Sequence, residues 1–139
     1  MTKDKPILCL DFDGVIHSYA SGWIAPDFIP DPPVPGAFDF MYRCLEHFNV
    51  QIYSSRSHQE GGIRAMQTWL EYWARKELEN TEPLYRANAI INNIAWNTEA
   101  SWPKQKPSAF VTLDDRALTF LGEWPSITDL KAFKPWNKK

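Results

Sequence analysis

The sequence predicts an α/β protein with a Rossmann-like, doubly wound parallel sheet, in one domain that spans residues 1–139. Short apolar runs alternate with segments of helical periodicity, which is typical of helices that cover both faces of a parallel sheet. The clearest apolar runs each end in a polar cluster, at residues 11–14, 54–57 and 114–116. A chain of this length can bury roughly two thirds of its unfolded surface, so a single core suffices.

Five segments have the apolar, β-branched character of buried strands. The predicted strands are residues 6–12, 50–53, 89–94, 109–113 and a short segment at 118–120. Ligands of open parallel sheets bind beyond the carboxyl ends of the strands. We therefore expect the three polar clusters to lie together at that edge.

Two further segments, residues 37–48 and 63–78, have the apolar spacing of helices. The apolar side of the second consists of Ile63, Met66, Trp69, Leu70, Trp73 and Leu78. Residues 17–36, called the flap below, contain five prolines, which excludes a central strand or a long helix. Tyr19 and Trp23 of the flap either stack on a nucleic-acid base or hold the loop against its own domain.

The composition argues against several classes of protein. No apolar run approaches the length of a membrane span, so we expect a cytoplasmic protein without membrane contact. Fifteen basic and seventeen acidic residues give a net charge of −2, which disfavours nucleic-acid binding through bulk charge. Cys9 and Cys44 lie in apolar segments and are expected to be free, buried thiols.

Basic residues are concentrated near the C-terminus. Residues 104–139 carry seven basic and four acidic groups, a net charge of +3. This region is expected to be either a solvated terminus or an aid in holding an anionic substrate. Its last part, residues 131–139 and called the tail below, either docks on the domain or binds a partner.

The first predicted strand ends in the motif Asp11-Phe12-Asp13-Gly14. Because alternate residues of a strand share a face, Asp11 and Asp13 can face one cleft while Phe12 packs inward. Gly14 permits a sharp turn whose carbonyl groups become available to a cation. A solvated turn is the alternative, whereas a calcium-binding EF-hand is disfavoured because its glycine is sixth in a loop that follows a helix.

A second acidic pair, Asp114-Asp115, follows the predicted strand at residues 109–113. Taken alone, this pair suits a helix cap or an ion pair with Arg116. Four carboxylates at one edge of a sheet would repel one another without a cation. Mg²⁺ prefers oxygen ligands and keeps several waters, which leaves room for phosphate oxygens.

In this combination the sequence resembles the haloacid dehalogenase (HAD) superfamily over roughly residues 6–121. The segment DFDGV resembles motif I of that superfamily, and Ser54 after VQIY resembles motif II. Lys106 in KPSAFVTLDD resembles the lysine of motif III, and Asp114-Asp115 resembles motif IV. Lys104 competes with Lys106 for the motif III position. The pattern is most similar to small HAD-like proteins of phages and prophages.

The resemblance implies phosphatase chemistry, with Asp11 as the nucleophile and Asp13 as the general acid and base. It implies that Ser54 hydrogen-bonds the phosphoryl group and that Lys106 neutralises its charge. A carboxylate nucleophile suits phosphoryl transfer because it needs no deprotonation at neutral pH.

The resemblance also implies a Mg²⁺ site and further contacts to the substrate. Its ligands are expected from Asp11, Asp13 and Asp115, with Asp114 acting through water or orienting the site. Gly14, Ser55 and Arg56 are expected to contact the substrate phosphate. A similar Ser-x-Arg occurs in the phosphatase domain of polynucleotide kinase/phosphatases. Arg56 is therefore expected either to bind the phosphate with two hydrogen bonds or to form a surface ion pair.

Neither interval between the motifs has room for a folded cap domain, so we expect a minimal or capless member of the superfamily. An open cleft admits a large substrate, such as a nucleic-acid end or a phosphoprotein, or is closed by another subunit. The phosphorylated substrate that we expect is a nucleotide or a nucleic-acid end. The leading hypothesis is a Mg²⁺-dependent phosphomonoesterase. The alternatives are a catalytically weak binding or regulatory module and a phosphotransferase.

Overall fold

The computed structural model describes residues 5–79, 81 and 85–138. Its sheet has three parallel strands: β1 (Ile7–Leu10), β2 (Asn49–Ile52) and β3 (Val111–Leu113), in the order β2-β1-β3. Leu8 of β1 is paired with Val50 on one side and Val111 on the other. The chain is therefore an α/β protein whose central strand β1 leads directly to the first acidic motif.

Both predicted helices are present, the first ending four residues earlier and the second beginning one residue earlier than predicted. Helix α1 covers Ala37–Cys44 and α2 covers Gly62–Leu78, while α4 is a short helix at Ile127–Lys131. A 3₁₀ turn at Trp136–Lys138 follows α4. No helix in the described parts of the chain is long and apolar enough to cross a membrane.

Two of the predicted strands are wrong. Residues 89–94 are helical, because α3 (Arg86–Ile90) continues as a π-helical turn at Ile91–Ala95. The apolar residues Ala87, Ile90, Ile91, Ile94 and Ala95 recur at helical spacing and are all buried, and this wider period outweighs the short apolar run. Residues 118–120 form no strand.

The core lies between the sheet and helices α1 to α3. Met66, Trp69, Leu70 and Leu78 of α2 are buried, with Ile63 and Trp73 packed against the cluster, as the apolar spacing predicted. Phe12 is fully buried and packs edge-on against Trp69 at 5.1 Å between ring centroids. Cys9 and Cys44 are free and buried, as expected.

The two edges of the sheet differ in how they are covered. All four residues of β2 are buried, and the Ile52 N–H donates to the carbonyl of Ser101 at 2.8 Å. All three residues of β3 are exposed. The prediction of a sheet covered on both faces therefore holds for β1 and β2 and is wrong for β3.

Candidate active site

Three carboxylates meet at the carboxyl edge of the sheet. Asp11 follows β1, and Asp114 and Asp115 follow β3, which is the neighbour of β1. One oxygen of each lies within 4.8 Å of the others. The parallel pairing brings together residues that are about a hundred positions apart in the sequence, and it forms an oxygen-only donor set of the kind that Mg²⁺ prefers.

Gly14 makes this convergence possible. Its φ is +85°, a left-handed conformation that L side chains rarely adopt. A Cβ atom at this position would overlap the carboxylate of Asp115. The glycine is therefore required both for the turn after Asp13 and for the close approach of Asp115.

The electrostatics of Asp11 reflect this crowding. Burial, a hydrogen bond shared with Asp115 and the negative charge of Asp114 raise the pKa of Asp11 to about 8. A cation between the carboxylates would favour the ionised form and oppose this shift. Asp114 also accepts the backbone N–H of Arg116 at 2.9 Å, so it forms a local turn with Arg116.

A cavity of about 270 Å³ opens beside the carboxylates. Its lining includes Asp11, Ser54, Ser55, Lys106 and Asp114. Lys104 lines a separate cleft, beside Ser57 and Arg64. The structure therefore places Lys106, and not Lys104, in the cavity with the expected nucleophile.

Asp13 points toward two buried donors and is not one of the three clustered carboxylates. His17 Nδ1 lies 2.8 Å from Asp13 Oδ1, and Arg56 Nε donates to Asp13 Oδ2 at 3.0 Å. The Asp31 N–H donates to His17 Nε2 at 3.1 Å, and a backbone N–H can only donate. The ring proton of His17 is therefore on Nδ1, from which it is donated to Asp13.

Arg56 is fully buried and connects Asp13 to the flap. Its Nη1 donates to three flap carbonyls, those of Ala25, Pro26 and Phe28, at 2.8 to 3.2 Å. The Trp23 ring covers the guanidinium at 4.7 Å. Arg56 is therefore not in a surface ion pair, and it orders the flap from within. Its Nη2 is buried and has no hydrogen-bond partner among the described residues.

Ser54 forms the first corner of a tight turn after β2. Its Oγ accepts the Arg56 N–H at 3.1 Å, and its own N–H donates to Ser57 Oγ at 3.0 Å. Gly62 at the start of α2 allows this turn to pack closely, because a Cβ there would overlap the carbonyl of Arg56. The turn thus presents Ser54 and Ser55 to the cavity while it directs Arg56 toward Asp13.

The flap is packed against the domain by aromatic residues. Trp69 of α2 donates from Nε1 to the Asp31 carbonyl at 3.1 Å, and its ring lies 5.6 Å from that of His17. Tyr19 packs edge-on against His17 at 5.9 Å. Tyr19 and Trp23 thus both contact their own domain.

The C-terminal turn returns to the first motif. Trp136 Nε1 donates to the carbonyl of Gly14 at 2.8 Å, and Pro135 is buried. Asn137 Nδ2 donates to the Ser18 carbonyl at 3.4 Å. Of the two expectations for the tail, docking on the domain is the one observed for residues 135–138.

His17, Asp31 and Trp136 were not predicted as site residues. His17 has a detectable signal, because it lies four positions after Asp13 in the turn that Gly14 opens. Asp31 and Trp136 have none, because they reach the site only through the folded flap and tail. No family model, curated protein or solved structure matches the chain.

Proposed function

We propose that this protein is a Mg²⁺-dependent phosphomonoesterase of the HAD type, with Asp11 as the nucleophile. The observation that carries the proposal is the convergence of Asp11, Asp114 and Asp115 within 4.8 Å beside a cavity lined by Asp11, Ser54 and Lys106. The donors are all carboxylate oxygens. Burial and the neighbouring carboxylates Asp115 and Asp114 raise the pKa of Asp11 to about 8. This set fits a divalent, oxygen-preferring cation.

Asp11, Asp114 and Asp115 would hold the cation, with Asp13 as a further expected ligand. When bound, Mg²⁺ would offset part of the negative charge of the three carboxylates and of the phosphoryl oxygens. Lys106, in the same cavity, adds a positive charge for the transferred group, and Ser54 and Ser55 offer hydroxyl donors. The cavity thus combines a nucleophile with donors for the group that it attacks.

In the first half-reaction, an Asp11 oxygen attacks the phosphorus and the bond to the leaving oxygen breaks. The electron pair of that bond goes to the leaving oxygen, which Asp13 protonates. In the second half-reaction, Asp13 takes a proton from water, the water oxygen attacks phosphorus, and Asp11 is released with inorganic phosphate. Ser54 and Lys106 hold the phosphoryl group in both steps.

The surroundings of Asp13 favour a second candidate, a catalytically weak binding module. Asp13 accepts hydrogen bonds from Arg56 and His17, so its oxygens are engaged with buried donors. A site of this kind binds a phosphorylated ligand and transfers the phosphoryl group slowly when the leaving oxygen needs a proton.

Phosphate release from p-nitrophenyl phosphate and from an alkyl phosphate separates the two candidates. The phosphatase hydrolyses both with Mg²⁺, and loses both with a chelator or in Asp11→Asn. The weak module hydrolyses only p-nitrophenyl phosphate, whose leaving group needs no proton. A 3′-phosphorylated oligonucleotide, assayed in parallel, tests the nucleic-acid end as substrate.

Asp39→Asn is the matched control. Asp39 lies on α1, half exposed, where it pairs with Arg43 at 3.0 Å and with Arg86 at 3.1 Å. The variant should keep full activity, because none of these three residues lines the cavity or belongs to the carboxylate cluster. Absence of phosphate release from every substrate, by folded protein that binds Mg²⁺, would contradict the phosphatase. Equal activity of Asp11→Asn and wild type would exclude Asp11 as the nucleophile.

A further inference from the structure

The chain from Phe110 to Leu130, called the apolar stretch below, leaves large apolar side chains in solvent. Phe110, Leu121, Trp124 and Ile127 are 75, 85, 86 and 72% exposed. Phe120 and Trp124 pack on each other at 4.8 Å between ring centroids. Soluble monomers rarely expose contiguous apolar surface of more than a few hundred Å², so exposure on this scale marks an interaction surface.

Strand β3 lies within this stretch and is the uncovered edge of the sheet. The opposite edge strand, β2, is fully buried and is bonded to the Ser101 carbonyl at its outer side. All residues of β3 are exposed, including Val111 and Leu113 at 45% each. Parallel sheets are normally buried on both faces, and an exposed apolar edge strand readily pairs with another strand.

The accessible surface of the whole chain is larger than its mass predicts. It measures 8848 Å² for a mass of 16.1 kDa. A folded monomer of that mass is expected to expose about 7,400 Å². The excess, about 1,400 Å², is larger than the roughly 800 Å² that each partner buries in a standard interface.

The composition of residues 117–128, the middle of the apolar stretch, suits the centre of an interface. Residues 117–128 contain one charged side chain, Glu123, among two aromatic and several aliphatic residues. Cores of interfaces are depleted in charge and enriched in aromatic residues. Homodimers, in particular, have more apolar interfaces than transient complexes.

We propose that the apolar stretch is the interface of a two-fold symmetric homodimer. The same surface on each copy covers the other, which is the commonest symmetry among oligomers. The two β3 edges would pair antiparallel and join the three-stranded sheets into one of six strands. A second copy thus removes the exposed edge and the exposed aromatic residues together.

This inference does not rest on the proposed function, because it depends on exposed surface and not on the carboxylates. The two are nonetheless adjacent, since β3 leads directly into Asp114 and Asp115. The second copy would therefore lie beside the metal-binding edge of the site.

Sedimentation velocity on the full chain tests the dimer. The wild type should sediment with twice the 16.1 kDa chain mass and dissociate on dilution. The double variant Leu121→Glu/Trp124→Glu should weaken the dimer at least tenfold, because it places charges in an apolar interface. Tyr72→Glu, at a tyrosine on α2 that is 55% exposed, is the matched control and should remain a dimer.

A wild type that is monomeric at every concentration overturns the proposal, and so does a dimer that the double variant leaves intact. Hydrogen exchange on the wild type avoids dependence on the folding of any variant. Amides of β3 and of residues 118–130 should exchange more slowly as concentration rises. Exchange that is independent of concentration in these segments also overturns the proposal.

Discussion

The carboxylate of Asp13 receives N–H groups from two side chains that are both fully buried, His17 and Arg56. Each donor is itself held by backbone groups of the flap, through Asp31 in one case and through three carbonyls in the other. The orientation of Asp13 is thus determined by the folded flap. In the proposed mechanism His17 and Arg56 are positioning residues, since they contact Asp13 and would act on the reaction only through it.

Two substitutions at His17 separate its two hydrogen bonds. Asn places an amide donor near the position of Nδ1, and so keeps the bond to Asp13, whereas Gln places an acceptor near Nε2 and keeps the bond from Asp31. We expect kcat to fall by about 10- to 100-fold in His17→Gln, with KM little changed, and to fall less in His17→Asn. Steady-state kinetics with p-nitrophenyl phosphate measures both constants.

The stability of the His17 variants serves as the control. Each variant loses one buried hydrogen bond, so its free energy of unfolding should be about 1–3 kcal/mol lower than that of the wild type. Comparable losses in both, with the kinetic difference retained, assign the kinetic effect to the contact with Asp13. If kcat were larger in His17→Gln than in His17→Asn, the kinetic effect would be due to the hydrogen bond between His17 and Asp31 instead.

Asp11 makes the stability of the metal-free protein depend on pH. Its pKa is about 8 in the folded chain, against about 3.9 for an unfolded aspartate. Between about pH 4 and pH 8, Asp11 is therefore protonated in the folded state and ionised in the unfolded state. The stabilisation is complete below about pH 4 and is lost as the pH rises toward 8.

Urea unfolding in chelator, at a series of pH values, measures this effect. We expect the wild type to lose stability from about pH 5 to about pH 8, and Asp11→Asn to lose clearly less. Saturating Mg²⁺ should remove the slope, because the bound cation keeps Asp11 ionised. An increase in wild-type stability over the same range would mean that Asp11 is already ionised without metal.

Among the structural elements, the C-terminal 3₁₀ turn has the longest reach in sequence. It connects Trp136 to Gly14 and thereby closes the chain over the loop that carries Asp13. We expect Trp136→Phe, which keeps an aromatic ring but removes the N–H donor, to lower the free energy of unfolding by about 1 kcal/mol. Chemical unfolding followed by circular dichroism measures it.

Asn137→Ala is the comparison for this prediction. The Asn137 bond to the Ser18 carbonyl is long, at 3.4 Å, so its loss should change stability less than Trp136→Phe does. Equal losses in the two variants would show that the Trp136 hydrogen bond is not what holds the turn.

Elements whose pattern is repeated over many residues were predicted well. The period of α2 places its apolar side correctly, β1 and β3 lie within the segments predicted as strands, and β2 begins and ends one residue earlier than predicted. The prediction for residues 89–94 is wrong because a six-residue segment with four apolar residues fits a strand and a buried helix equally well. Only the wider spacing from Ala87 to Ala95 distinguishes them.

At the scale of the whole molecule, a cation bound at the carboxyl edge connects β1 with β3, which has few other covered contacts. Mg²⁺ should therefore stabilise the fold through linkage. At tenfold excess over its dissociation constant it contributes about 1.4 kcal/mol, or a rise in Tm of about 3–5 °C. Thermal unfolding with Mg²⁺ and with chelator measures the shift.

Asp115→Asn should lose most of this Mg²⁺-dependent rise in Tm, and Asp39→Asn should keep it. Both variants remove one negative charge, so the net charge of the protein changes equally in the two. A rise that survives in Asp115→Asn would place the cation elsewhere.

The sequence by itself determined the α/β class, the three strands of the sheet, the two long helices and the acidic residues at the strand ends. These follow from local periodicity and from residue chemistry, which neighbours along the chain make visible. It also predicted that Asp11, Asp13, Ser54, Asp114 and Asp115 belong to one edge, because parallel strands end together. Lys106 precedes its strand and was expected there only from the resemblance to the HAD superfamily.

Only the tertiary structure decided what each of these residues contacts. It joins Asp11 to Asp114 and Asp115, turns Asp13 toward His17 and Arg56, selects Lys106 over Lys104 for the cavity, and leaves β3 uncovered. These contacts join residues up to about 120 positions apart, through a flap and a tail without periodic pattern. Their geometry depends on the packing of the whole chain, which no local stretch of sequence contains.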